Sequence, residues 1–184
     1  MHDGLGNFEF VELYNYGPAP VDLTQWSLEN SSGSRFDISQ ELMLSPGQCA
    51  ILCRDLSSFT NFYFTGAPAL GNLPFDLSNR RDALTLRAWD GQIVDRVSYE
   101  DTAPWPVRAD GDGATLERLS PTGAGSTATN WAPSPGGGSP GAPNGPSAPA
   151  ILALWHDPPV PSPSHPVTIF ARSTNLPNHC LPVP

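Results

Sequence analysis

Hydrophobic residues along this chain gather in short runs rich in β-branched and aromatic side chains. Each run is cut off by Gly, Pro, Asn or Asp, and no long segment keeps the three-and-four spacing of an amphipathic helix. That punctuation predicts an all-β protein, a sandwich or a barrel. The first run is "FEFVELYN", residues 8–15. In an extended chain Phe8, Phe10, Glu12 and Tyr14 share one face, and Glu9, Val11, Leu13 and Asn15 the other. Both faces are mostly apolar, so an interior strand is expected. Glu12 then lies among aromatics and needs a partner, because a lone buried carboxylate is costly. We expect a buried ion pair with an Arg of a neighbouring strand, Arg118 of "LERL". Losing one member of such a pair costs on the order of 3 to 5 kcal/mol.

After the turn "NYGPAP" comes "VDLTQWSL", with Trp26 as its core anchor, then the loop "ENSSGS" and a short strand "RFDI". Pro46-Gly47 makes a tight turn into a buried strand over 48–53. "LSSFTNFYFTGAPALGN" is less regular and reads as a long connection with one helical turn. Asp90-Gly91, between two alternating runs, predicts a two-residue hairpin turn with positive φ at both central positions. Trp89 then faces Gln92, and Leu84, Leu86 and Ala88 share the core face with Ile93, Asp95 and Val97. Asp95 is the acid on that face and is expected to tie down a loop near the sheet end as a hydrogen-bond acceptor. "LERL" at 116–119 reads as a last short strand.

Of the 184 residues 17 are Gly and 22 are Pro, and they are concentrated late in the chain. From about 121 the composition is that of a linker, with Asn130-Trp131 the expected anchor back onto the domain. "ILALW" at 151–155 and "PVTIFARS" at 166–173 read as the opening strands of another β-domain. The expected organisation is a domain over 1–144, irregular over 120–144, a Pro/Gly/Ser linker at 145–150, and a truncated second β-domain at 151–184. That last part is expected to be poorly ordered, because a lone two-stranded unit is marginal in water.

Charge changes the picture by exclusion. The net charge is −9 and all nine basic residues are Arg. Such a surface repels a phosphate backbone and disfavours nucleic acid and anionic membranes as partners. No apolar run is long enough to span a bilayer. The start "MHDGLGNF" has neither the basic head nor the apolar core of a signal peptide, so any export signal lies outside this sequence. Cys49 and Cys53 fall on one strand, about 13 Å apart, beyond the roughly 7 Å that a disulfide bridges. They are expected to be core residues, and with Cys180 near the end no disulfide framework emerges.

Candidate chemistry is sparse. Asp110 and Asp112 of "DGDG" are the metal candidates, for Ca²⁺. Counted as an EF-hand loop, however, the pattern meets Ala114, Thr115 and Pro121 where an acid, Gly and Glu belong. A tight turn is the simpler reading. Trp105, between Pro104 and Pro106, is either an exposed platform for a sugar or peptide or a plug for one end of the sheets, and the plug is favoured. Glu9 and Glu12 lie on opposite strand faces and do not converge as a hydrolytic pair. His2, His156, His165 and His179 all lie outside or at the start of the predicted domain, so no nucleophilic constellation can be built on it. No enzymatic activity and no cofactor are expected.

"FEFVELYNYGPAPVDLTQWSL", "LSPGQCAILCRD", "LSNRRDALTLRAWDGQIVDRVSYEDTAPWPVRADGDGATLERLSP" and "NWAPSPGGGSPGAPN" resemble, in order and spacing, the bacterial lamin tail domain over roughly residues 8–144. The resemblance implies an immunoglobulin-like antiparallel β-sandwich. It also implies an accessory module of a secreted, multi-domain protein, with the patch at 151–173 similar to the start of a further repeat. Members of the family usually carry one more short strand before the "FEFVELYN" block, and the chain begins inside the loop that follows it. A sheet edge is therefore expected to be unpaired. The expected function is a non-catalytic structural or adhesion domain outside the cell, with neighbouring domains or a surface polymer as partners. The alternatives are a calcium- or carbohydrate-binding module and a fragment of a larger secreted enzyme.

Overall fold

A computed structural model describes residues 8–63, 65–109, 113–134, 137–142, 144, 151–157 and 168–173. Their strands run in the order β1 (Phe10–Tyr14), β2 (Val21–Asp22), β3 (Ser27–Glu29), β4 (Arg35–Asp37), β5 (Met43–Leu44) and β6 (Cys49–Cys53). A short helix α1 (Leu56–Phe62) follows, then β7 (Ala69–Leu70), β8 (Arg81–Arg87), β9 (Ile93–Glu100), β10 (Leu116–Arg118) and β11 (Trp131–Pro133). The chain divides into two compact units, 1–144 and 145–184. The second contains an antiparallel pair, β12 (Ile151–Asp157) and β13 (Thr168–Ser173).

In the first unit the sheet β4-β3-β8-β9 is antiparallel throughout. A second sheet runs β1-β6-β7, and the short pairs β2-β5 and β10-β11 complete the all-β architecture. The β6–β7 pairing is parallel, which alternation alone did not predict. The connection between them carries α1, where one helical turn was expected. Asp55 caps that helix by accepting from the Ser58 N–H at 2.7 Å.

Every residue of β6 is buried because both faces are covered. Ala50 and Leu52 join the main core with Leu23, Leu28, Ile38, Leu44 and Leu73, and Trp26 packs against it. Ile51 and Cys53 face the other way, onto Phe59 of α1. Strand β1 divides in the same manner, with Val11 and Leu13 on the main core and Phe10 against Phe59 and Tyr63. The strand read from "FEFVELYN" as interior ends its sheet among the described residues, but its two apolar sides do serve two separate clusters. Cys49 and Cys53 are buried free thiols.

Two expectations are corrected. The Asp90-Gly91 turn is not the two-residue type. Of these two residues only Gly91 has positive φ, at 83°, and the Gly91 N–H donates to the Ala88 carbonyl while the Ala88 N–H donates to Gln92. This is a three-residue loop with glycine in the left-handed position. A bulge between Leu86 and Arg87 then restores the expected register, Leu86 opposite Asp95 and Leu84 opposite Val97. The second correction concerns the Pro/Gly-rich stretch after 121, which holds a short strand where linker was expected, while Asn130 and Trp131 anchor it as expected. Asn130 accepts from the Ser120 N–H and donates to the Ser120 carbonyl. Trp131–Pro133 pairs with Leu116–Arg118 as β11 on β10.

Candidate functional site

The first unit carries a cleft of about 900 Å³. One rim is the continuous stretch from Phe10 to Gly17, and the other runs from Thr115 to Leu119. Leu28, Leu84, Leu86, Val97 and Trp26 supply apolar walls, and the loop 121–125 and Val94–Val97 close the far side. That loop lies tightly on β9: a Cβ on Gly125 would stand 2.5 Å from the Arg96 carbonyl oxygen, so the approach requires glycine. The Trp131 indole N–H donates to the Gly125 carbonyl at 2.9 Å and holds it there.

Charged groups occur along both rims. Glu12 accepts from the Gly141 N–H at 2.6 Å, and its carboxyl is raised above the ordinary Glu value chiefly by burial. The Cys49 thiol lies near it on the same side of the β1–β6 pair. Burial and the nearby Glu12 carboxylate push that thiol up to about 11. Glu117, likewise raised by burial, accepts from the Ser139 hydroxyl at 3.2 Å. The Glu117 carboxylate nearby adds to the cost of ionising Glu12, since like charges disfavour the charged form.

The expected Glu12–Arg118 pair is not formed. Arg118 instead donates from Nη1 to Asp95 and from Nη2 to the Gly123 carbonyl, leaving Nε buried and without a partner. The reason is register and face. Arg118 follows Glu117 along β10, so their side chains point to opposite sides, and it is Glu117 that lies near Glu12. Asp95 does tie down a loop near the sheet end, through Arg118 rather than by accepting from the loop itself. Glu117 was missed by sequence reasoning, although the alternation of "LERL" places it opposite Arg118. Glu9 proves buried, with its carboxylate accepting from the Leu77 N–H at 2.8 Å.

Trp105 is not an exposed platform. It is 8% exposed, stands 6.2 Å from Trp131 between ring centres, and forms a small cluster with Tyr99 and Ala128. Among the described residues the exposed tryptophan is Trp89, 71% open at the β8–β9 turn, with Ile93 and Val94 each 49% open beside it. Asp110 and Asp112 lie outside the described residues, as do His2, His165 and His179. Among the described residues no three His, Cys, Asp or Glu side chains gather as a metal site, and no helix is long and apolar enough to cross a membrane.

The arrangement offers an apolar groove with acidic rims and an exposed aromatic turn, both means of holding another molecule. The family model described as Lamin Tail Domain matches residues 1–101, which takes in β1 to β9 and leaves β10 and β11 beyond it. No curated protein matches the chain.

Proposed function

The chain belongs to the lamin tail domain family, and from that premise we propose that it acts as a non-catalytic accessory domain of an exported, multi-domain bacterial protein. The domain is an immunoglobulin-like all-β sandwich of the interaction or structural type. Outside the cell it positions neighbouring domains of the same polypeptide or holds a surface polymer. The observation that carries this reading is the β8–β9 turn, where Trp89, Ile93 and Val94 present apolar area to solvent. The carboxylates support it, because buried Glu9 and half-buried Glu12 are both engaged by backbone N–H groups in holding the fold.

The test is co-sedimentation of the chain with peptidoglycan and with insoluble polysaccharides, wild type against Trp89→Ala. Binding should fall at least about tenfold in the variant, the scale of a truncated aromatic anchor, with the melting temperature unchanged. Release of soluble fragments from either polymer refutes the non-catalytic reading, and undiminished binding by Trp89→Ala refutes the contact surface. A rise in melting temperature on adding Ca²⁺ or a soluble glycan favours a ligand-binding module instead.

A further inference from the structure

The Pro/Gly-rich residues 137–142 and 144 are tied down along their length. The Tyr63 hydroxyl donates to the Gly137 carbonyl at 2.7 Å, and the Ser139 hydroxyl to Glu117 at 3.2 Å. The Gly141 N–H donates to Glu12 at 2.6 Å, and the Asn144 side-chain amide to the Arg118 carbonyl at 3.2 Å. The local sequence suits this path. Ser139-Pro140-Gly141-Ala142 closes a turn through the Ala142 N–H and the Ser139 carbonyl, with Pro and Gly at the two central positions where a type II turn favours them. Gly141 has φ 86°, and a Cβ there would overlap the Thr65 hydroxyl. Gly138 has φ 87°, and a Cβ there would stand 2.6 Å from the Thr115 hydroxyl oxygen. Glycine is needed at both. These residues form a strap held by Tyr63, β1 and β10.

We propose that this strap is a proton-controlled latch on the chain leaving the first unit, seated while Glu12 and Glu117 are protonated and released when both ionise. The proposal deepens the accessory-domain reading and rests on its first half, the positioning of neighbouring domains. Ser134 is fixed independently, by the N–H and carbonyl of Thr115. Release therefore moves the last hydrogen-bonded point before β12, among the described residues, from Asn144 back to Ser134. The full-stretch limit of the span that follows rises from about 25 Å to about 60 Å. The trigger follows from what surrounds the two acids. Cys49 of β6 and Tyr14 of β1 share Glu12's side, Tyr63 stands at the start of the strap, and the strap has no titratable side chain. Arg118, the cation on β10, is turned to Asp95. Among the described residues neither acid has a cationic partner. Burial raises both carboxyls above their ordinary 4.5, the Glu117 charge adds to the cost at Glu12, and the strap's own hydrogen bonds offset only part of this. The released acids return toward 4.5, so the seated state binds protons more tightly. Seating is fully favoured below about 4.5 and weakens as pH rises through the raised values.

The probe is a nitroxide on the exposed position 142, attached to the full chain as Ala142→Cys in a Cys180→Ser background. Cys49 and Cys53 are buried and stay protonated, so the label goes to 142. The ratio of mobile to ordered label in the paramagnetic resonance spectrum should rise at least about tenfold between about pH 5 and about pH 8, the effect of one pKa unit. Adding Glu12→Gln/Glu117→Gln should keep the label ordered throughout, because each Gln oxygen still accepts from the strap. Adding Gly141→Ala should leave it mobile throughout, and the Gln variant tests the trigger even where Gly141→Ala does not melt cooperatively. A ratio flat with pH in the parent chain, or a Gln variant that follows the parent, overturns the trigger. A label mobile at both pH values in the parent, or ordered in a folded Gly141→Ala variant, overturns the strap. Either result with Trp89-dependent sedimentation intact refutes the latch and leaves the accessory-domain reading in place. Soluble fragments released from the polymers, with the pH response intact, refute that reading and support the latch.

Discussion

The contact between Arg118 and Asp95 ties β10 to the edge strand β9, and its strength follows from how far each partner is buried. The Arg118 side chain is 18% exposed and that of Asp95 is 40%. An exposed ion pair contributes about 0.2–1 kcal/mol, whereas breaking a fully buried one costs about 3–5 kcal/mol. With one member mostly buried and the other partly open to solvent, the pair is expected near about 1–2 kcal/mol. Arg118 also donates to the Gly123 carbonyl, a charge-assisted bond of about 1.5–3 kcal/mol. Asp95→Asn should therefore cost about 1–2 kcal/mol and Arg118→Met about 2–4 kcal/mol. The double variant should cost less than the sum, by a coupling of about 1–2 kcal/mol. For the unit 1–144 each kcal/mol moves the melting temperature by about 3–4 °C. The assay is urea unfolding of all four proteins by tryptophan fluorescence, compared at constant m-value. The same cycle run on Glu12→Gln and Arg118→Met should show no coupling, because Glu12 is bonded to the Gly141 N–H instead. A coupling below about 0.3 kcal/mol for Arg118–Asp95, or a larger one for Arg118–Glu12, refutes the reasoning.

Phe59 is fully buried between Phe10 and Tyr63, so Phe59→Ala should cost about 3–5 kcal/mol in the same urea assay, and a loss below about 1 kcal/mol contradicts the packing of α1 on β6. The folded Glu12 carboxyl titrates above its ordinary 4.5. As pH rises past that value the unfolded chain loses its proton first, and the folded state loses stability until its own higher pKa is passed. Glu12→Gln should therefore gain stability relative to wild type as pH rises past about 4.5, and a difference that is flat with pH counts against a desolvated carboxyl. Burial pushes both Cys49 and Cys53 up to about 11, so in a Cys180→Ser background a thiol reagent at neutral pH should find no reactive group until denaturant is added. Prompt labelling of either would mean that β6 is open to solvent.

What the sequence disclosed best was the state of each strand's own faces, because that depends only on alternation within a few residues. "FEFVELYN" and "GQCAILC" read as buried on both sides, and β1 and β6 each serve two clusters. Alternation says which side a residue takes and nothing about who stands opposite. Hence Glu12 was matched with Arg118 by charge alone, when Gly141, more than a hundred residues away, supplied its donor. β7 and β11 escaped because each is too short to show a period, and β11 is embedded in linker-like composition.

The hairpin shows how a local misreading can leave a distant contact intact. The loop's own pairing sets Arg87 opposite Ile93. Continued without interruption, it would set Leu86 opposite Val94 and turn Asp95 to the other face, since a slip of one residue reverses every side chain. The bulge between Leu86 and Arg87 absorbs that residue, and Leu86 meets Asp95 as a two-residue turn would have required. Two errors of unit size thus cancel within the first turn of the hairpin. The acid stays on the side where Arg118 reaches it because β9 carries one residue more than its partner, and the closure of the cleft's far wall depends on that extra residue.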